Sequence, residues 1–288
     1  VINIFILNWN STNDIDNLLN SLKKSNNQLF RIILIHNGSD DWMELLSLSE
    51  KYEHCFEIHI IKNNDNLGYA EGNNTGLYYI DSHGLLGDIL VVNPDVIFCE
   101  DSIDELIFAK NHLKNIGAVM IRTFNHDNVL LYDKIKLNGF SQQYVHLVEN
   151  QINVTDYCAG SCMLISRDAV AAIGLFESDY FLYWEEVDLS LRLRDAGYVL
   201  ITTTRSHIIR KCNSIERTSN AYYYYLRNSF IIKRRWPVGR GIVSHGLFIL
   251  RSLSSALLNS ISKNNLAFLT NSIKGIADGI REKYGKRA

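Results

Sequence analysis

Proline is nearly missing from this chain, with 2 residues in 288, and 17 glycines complete a composition that leaves little material for a flexible linker. Cysteine is scarce and scattered. Cys55, Cys99, Cys158, Cys162 and Cys212 form an odd set without the density of a disulfide scaffold, which points to a reducing, cytoplasmic setting. Cys158 and Cys162 are four apart, but no second pair follows at zinc-ligand spacing, so buried thiols explain them better. No apolar run reaches the roughly eighteen residues that a spanning helix needs. The opening residues 1–7 lack the basic and apolar pattern of a signal segment and read as a strand. Neither G-x-x-x-x-G-K-[ST] nor G-x-G-x-x-G occurs, which argues against P-loop and dinucleotide-binding readings.

What is present is a globular composition, 47% hydrophobic and 21% charged, at a length suited to one large α/β domain with a smaller appendage. The net charge of −2 conceals two opposite parts. Residues 1–204 carry 13 basic against 28 acidic residues, and residues 205–288 carry 16 against 3. A basic, aromatic-bearing tail on an acidic body suits an anionic partner such as a membrane surface or ligand phosphates, with a solvated helical face as the plain alternative. Nucleic acid is disfavoured because the acidic body would repel a polyanion.

The first hundred residues alternate β-rich runs with helical patterns, the signature of a mostly parallel sheet flanked by helices. Strands are expected at 2–7, 31–36, 56–62 and 88–93, and helices at 14–25 and 69–81. The last of these strands is continuously apolar and therefore central. A helix from 100 to 113, a strand at 117–121, hairpin-like pieces through 122–155, a helix at 185–196 and a strand at 198–203 follow. Segments 218–235 and 240–283 read as helices with basic faces. The expected division is a body over 1–217, its halves meeting near residue 100, and a basic amphipathic helical region over 218–288.

In an open α/β sheet, ligands bind beyond the carboxyl ends of the strands. Those ends carry Asn8-Trp9-Asn10-Ser11, His36-Asn37-Gly38-Ser39-Asp40, Asp65-Asn66-Leu67-Gly68 and Asn93-Pro94-Asp95. Each could be a turn by itself; their recurrence makes a polar rim. Pro94 stops its strand and leaves Asp95 where a divalent cation could be held. Gly68, Gly72 and Gly76 line one helical face and permit a close backbone approach. Further on, Glu185, Glu186 and Asp188 fall in the first turn of a helix, where the helix dipole favours acids. The aromatic residues Tyr180, Phe181, Tyr183 and Trp184 just before them suit a sugar-binding surface beside a general base. Asp188 and Arg192, at i and i+4, read as a structural pair.

These segments, together with Cys158-Ala-Gly-Ser-Cys-Met-Leu164, resemble the family 2 inverting glycosyltransferases of the GT-A fold, and in particular the bacterial rhamnosyltransferase-like branch that builds surface polysaccharides. The likeness spans roughly residues 1–235 in the right order. It implies a nucleotide-diphosphate sugar donor, dTDP- or UDP-linked, held by Asn8, Asn10, Asn37, Asn66, Gly68, Asn74, Asn93 and Asp95. It also implies a Mg²⁺ or Mn²⁺ ion at Asp95 with His207, a base at Glu186 with Glu185 beside it, and an acceptor glycan or lipid-linked oligosaccharide on Tyr183 and Trp184. Rhamnose is favoured as the sugar by resemblance alone. A surface or core histidine is an equal reading of His207.

Two departures stand out. Asn93 replaces the first acid of the DxD-like motif, so a metal site there carries one charge less, and Glu186 is one methylene longer than the usual aspartate. A catalytically degenerate nucleotide-sugar or glycan-binding protein of the same fold is the alternative. In the tail, Leu247, Leu250, Leu253, Leu257, Leu258 and Ile261 share one helical stripe, preceded by Lys233, Arg234, Arg235 and Trp236. The stripe suits either the inner face of a membrane, or packing on the body or on a second subunit.

Overall fold

The computed structural model describes residues 1–211, 218–236 and 241–287; Cys212 and residue 240, the expected start of the second tail helix, lie outside them. Strands β1 (Ile2–Asn8), β2 (Phe30–Asn37), β3 (Ile58–Asn63) and β4 (Asp88–Val92) run parallel in the order β3-β2-β1-β4. The sheet continues from β4, past β5 (Val96–Phe98), to a strand supplied from much later in the chain. That strand, β11 (Cys162–Ile165), lies antiparallel between β4 and β6 (Ile116–Asn125). β12 (Val199–Arg210) is parallel to β6, and β10 (Ile152–Val154) closes that edge. β7 (Leu130–Tyr132) pairs with β6, β5 pairs with β12, and β8 (Lys134–Asn138) with β9 (Ser141–Val145) forms the separate hairpin expected in 122–155.

The strands alternate in facing two cores, as the period of two requires. Ile4, Ile6, Ile32 and Leu34 pack with Leu18 and Leu22 of α1 (Thr12–Leu22), Leu45 of α2 (Trp42–Tyr52) and Leu106 of α4 (Ser102–Lys110). Phe5, Ile33 and Ile35 face α3 (Gly68–Ser82), in a core continued by α5 (Arg167–Ile173) and α6 (Glu185–Asp195). Each fully buried Leu, Ile or Phe contributes about 1.5–3 kcal/mol relative to exposure. Gly72 and Gly76 explain how α3 lies so close. A Cβ at either would meet Leu7, or Ile35 and Phe5, at 2.7–2.9 Å. The close approach made by these glycines is helix to sheet.

Three tail helices follow: α7 (Ser219–Arg235), α8 (Gly241–Ser262) and α9 (Ala267–Ile280). α7 packs on α9 and also joins the body. Asn228 donates to the carbonyls of Leu182 and Tyr183 at 2.8 and 2.9 Å, and the Trp184 indole donates to the Tyr225 carbonyl at 2.9 Å.

Candidate active site

The carboxyl ends of the parallel strands carry a polar rim whose side chains mostly hold one another. Asn8 ends β1 fully buried, accepts from the Ser11 amide at 3.0 Å and donates to Asp41 at 3.0 Å. Asp41, not singled out from the sequence, also accepts from Ser39 and Thr12, each at 2.6 Å. Burial alone would raise its pKa, but the hydrogen bonds from Ser39, Thr12 and Asn8 prevail and lower it to about 2. Asn10, exposed and at φ 53°, accepts from the Asp40 amide at 3.3 Å. Trp9, between Asn8 and Asn10, is 57% exposed.

Asn37 is buried and donates to the Gly68 carbonyl at 3.2 Å and to Asn66 at 3.3 Å, while accepting from the Leu67 amide at 3.1 Å. Asn66 in turn accepts from the Gly68 amide at 2.9 Å. These residues shape the turn into α3. Gly68 has φ +81°, and a Cβ there would lie 2.3 Å from the Phe181 carbonyl oxygen, so this position requires glycine. Asn74 exchanges two hydrogen bonds with the backbone of Phe176 at 2.8 and 3.0 Å, which directs its amide into the α3 contact and away from the rim.

The chemistry-bearing cavity lies farther along the sheet and measures about 360 Å³. Asn93, Ser161, Tyr183, Trp184, Glu185, Glu186 and Arg210 are among the residues lining it. Tyr183 and Trp184 both have positive φ, 68° and 77°, just before α6. Two successive bulky residues in this conformation cost energy that the surroundings must offset, and Asn228 grips both preceding carbonyls. Trp184 is only 3% exposed and stacks on Tyr225 with centroids 5.5 Å apart. Sequence reasoning treats Trp184 as an open platform; its indole is instead committed to holding α7 against the cavity wall. Tyr183 stays half-buried, edge-on to Tyr225.

Glu185 and Glu186 both reach the cavity but differ in setting. Glu185 is 4% exposed, whereas Glu186 is half-buried. Burial first, and then the neighbouring Glu186, push its pKa well above the usual carboxylate range. Burial and the neighbouring Glu186 thus favour the protonated form of Glu185. Asp188 is fully buried and pairs with Arg192 at 2.8 Å, as its i, i+4 spacing suggests. Tyr180 at 3.2 Å and Trp236 at 2.8 Å also donate to it.

Asp95 is held by Arg210, with Nη2 at 2.8 Å and Nε at 3.2 Å from one carboxylate oxygen. Arg210 ends β12 and lines the cavity, a role that sequence reasoning misses because the partners lie far apart in the chain. His207 is not brought to Asp95. The strand expected to stop at 203 continues to Arg210, so His207 sits within β12, three residues or about 10 Å before Arg210. There its ring meets Cys99 Sγ at 3.4 Å and lies edge-on to Phe124, beside a different cavity.

For Mg²⁺ or Mn²⁺ the turn after β4 offers one carboxylate, Asp95, and one amide, Asn93; Asn93 lines the cavity, as does Arg210, the partner of Asp95. Among the described residues, no group of three or more His, Cys, Asp or Glu is placed to hold a metal. This donor set fits an ion bound largely by water and substrate phosphates, the usual habit of Mg²⁺, provided Arg210 releases Asp95.

Comparison with known proteins bears on this arrangement. The sequence profile described as Glycosyl transferase family 2 matches residues 3–174. The low-salt glycan biosynthesis hexosyltransferase of Haloferax volcanii is 24% identical, over 99% of this chain and 92% of its own length. The rhamnosyltransferase WbbL of Escherichia coli is 25% identical, over 69% of this chain and 90% of its own length. Among solved structures, GalNAc-T7 with UDP, GalNAc and Mn²⁺ superposes with a TM-score of 0.66 at 12% identity, covering 98% of this chain and 56% of that one. The fold is thus of the GT-A kind. With well over half of its length matched by the family profile, the chain belongs to glycosyl transferase family 2 and is a glycosyltransferase.

Proposed function

We propose that the enzyme moves a hexose, with rhamnose favoured, from a dTDP- or UDP-linked donor to a glycan or lipid-linked acceptor in surface polysaccharide assembly, with inversion at the anomeric carbon. The observation that carries this reading is that Glu186 and Arg210 line one cavity. A single displacement needs a base on one side of the anomeric carbon and charge stabilisation of the departing diphosphate on the other.

Glu186 takes the acceptor hydroxyl proton, while Glu185, held neutral, neither competes for that proton nor adds a second negative charge. Arg210 and Asn93 face the leaving diphosphate, and the forked guanidinium suits two phosphate oxygens at once. Asn8, Asn10, Asn37 and Asn66 shape the rim that receives base and ribose, with Trp9 exposed beside it. Asp95, aided by Asn93, would hold Mg²⁺ or Mn²⁺, which supplies further positive charge to the diphosphate. The names of the relatives, a hexosyltransferase and a rhamnosyltransferase, support the sugar class.

The test is a thermal-shift and donor-hydrolysis screen of UDP-, dTDP- and GDP-sugars, with and without Mn²⁺ or Mg²⁺. Stabilisation by one donor, with slow release of its nucleoside diphosphate, is expected. Failure of every donor to shift the melting temperature or to be hydrolysed would overturn this reading.

A further inference from the structure

α8 is built inside out. Its buried positions are His245, Ser252, Ala256 and Ser260, with the half-buried Phe248 packed on Phe140 and Tyr225, while Val243, Leu247, Leu250, Leu257, Leu258 and Ile261 are exposed. α9 repeats the pattern, burying Asn271, Ser272, Gly275 and Gly279 along with Phe268 and exposing Leu266, Ile273 and Ile280. A helix that belonged wholly to a water-soluble surface would place its small and polar residues outside and its leucines within. Here nine large apolar side chains, eight on the two packed helices and Leu266 just before α9, are each at least 46% exposed. In α8 the spacing follows i, i+4 and i+7 and makes a continuous stripe, and along α9 the exposed apolar residues recur at every seventh position. This is more contiguous apolar surface than the scattered exposure ordinary in a monomer.

The tail that carries these stripes is predominantly basic. From residue 241 to the end, seven Lys and Arg stand against two acids. Arg251 lies beside the α8 stripe, and Arg227, Lys274, Lys283, Lys286 and Arg287 surround a cavity of about 570 Å³ whose single acid is Asp278. Asp278 is taken up by Lys283 at 2.9 Å, and no ion pair is formed by Lys274 or Lys286 among the described residues. No described helix is long and apolar enough to cross a membrane.

We propose that α8 and α9 form a docking face for an anionic lipid bilayer, lying in the interface with the leucine stripes among the acyl chains and the lysine cluster on lipid phosphates. A second copy of the chain is the weaker occupant, because a two-fold contact through this face would set basic surface against basic surface.

Docking on this face also bears on the acceptor, a step that rests on the transferase reading of the catalytic cavity. A groove of about 1110 Å³ runs between the β8–β9 hairpin and α8. Val243 and Leu247 of the exposed stripe line it, as do Gln142, Tyr144 and Tyr225, which also line the catalytic cavity. The acceptor is therefore an amphiphile that keeps its apolar tail in the bilayer and sends its sugar along this groove toward Glu186.

The test is flotation of the full chain with vesicles of phosphatidylglycerol and phosphatidylcholine, or of phosphatidylcholine alone, beside nucleoside diphosphate binding measured without vesicles. The wild-type chain floats with the anionic vesicles, and 0.5 M salt releases it. The L250E/L258E and K274E/K286E pairs, all at surface positions, each lower the bound fraction at least tenfold, with unchanged circular dichroism and unchanged nucleotide binding. Equal flotation of wild type and both variants overturns the proposal. So does a dimer in light scattering that L250E/L258E dissociates while no vesicle binding is seen. A failed transferase reading would show separately, as absent nucleotide binding by a chain that still floats.

Discussion

Arg210 reaches back across 115 residues of sequence to Asp95 and places both its Nε and Nη2 on one carboxylate oxygen, at 3.2 and 2.8 Å. The pair joins the end of β12 to the turn after β4, where the cavity wall and the DxD-like motif meet. If Arg210 serves the donor diphosphate, R210M weakens nucleoside diphosphate binding by about 10–100-fold, the equivalent of a charged hydrogen bond of ~1.5–3 kcal/mol. R210K recovers part of that loss, because lysine keeps the charge without the fork. Calorimetric titration in EDTA and in Mn²⁺ checks this, and wild-type affinity of R210M in both buffers would remove Arg210 from the donor site.

The acidic pair predicts unequal outcomes for similar substitutions. If Glu186 is the base, as proposed above, E186Q lowers kcat by about 10²–10⁴-fold with donor binding retained. E185Q replaces a carboxyl that burial and Glu186 already keep protonated, so kcat changes by less than about threefold. Stability gives the sign check. A carboxyl whose pKa is raised on folding costs stability as pH climbs above the unfolded value near 4.5. E185Q therefore gains melting temperature relative to wild type at pH 7 and less at pH 4. Comparable kcat losses in both variants would mean that the two carboxylates act as one unit.

Much of the architecture was legible because the strands announce themselves. The β-rich runs of β1, β2 and β4, the last of them continuously apolar, and the periodicity of α1 fix their faces locally. β11 was not read as a strand: Cys-Met-Leu-Ile is too short for periodicity to type, and only its insertion between β4 and β6 makes it one. The acidic pair was legible by its position at a helix start, but Arg210 was not, since its meaning depends on a partner 115 residues away. The metal reading of His207 failed for the converse reason, because β12 runs on past residue 203 and carries the ring to Cys99, in keeping with the equal reading of a packed histidine. Trp184 looked like a platform because sequence shows an aromatic next to a carboxylate and cannot show that α7 covers it. The α8 stripe was visible, but whether it faced inward or outward was not.

Asn228 predicts a positioning effect at a distance from the reacting atoms. One amide nitrogen donates to both the Leu182 and Tyr183 carbonyls, just ahead of the positive-φ pair that aims α6 at the cavity. N228A leaves two buried carbonyls without these bonds, at a cost of about 1–3 kcal/mol in stability. As the turn relaxes, kcat falls about tenfold, while donor KM, which the proposed function assigns to Arg210 and Asn93, stays within about twofold. Steady-state kinetics with the donor varied separates this from a purely structural role, which would lower the melting temperature and leave kcat intact.

His245 gives the tail a pH signature. Its ring lies on the inward side of α8, with Nε2 2.9 Å from the Ser229 hydroxyl and centroids 4.6 Å from both Phe140 and Phe230. Burial, with a smaller contribution from Lys233, lowers its pKa to about 4. Above pH 6.5 the imidazole is neutral in both folded and unfolded chains and contributes no pH dependence. Between pH 6.5 and 4 the unfolded chain takes up a proton that the folded chain refuses, so stability falls as pH falls through that window. H245Q keeps a partner for Ser229 but cannot titrate, and its melting temperature should decline less than that of wild type from pH 7 to 4.5. Subtracting the two curves cancels the opposite drift from Glu185, and parallel curves would show that His245 already carries a proton in the folded chain.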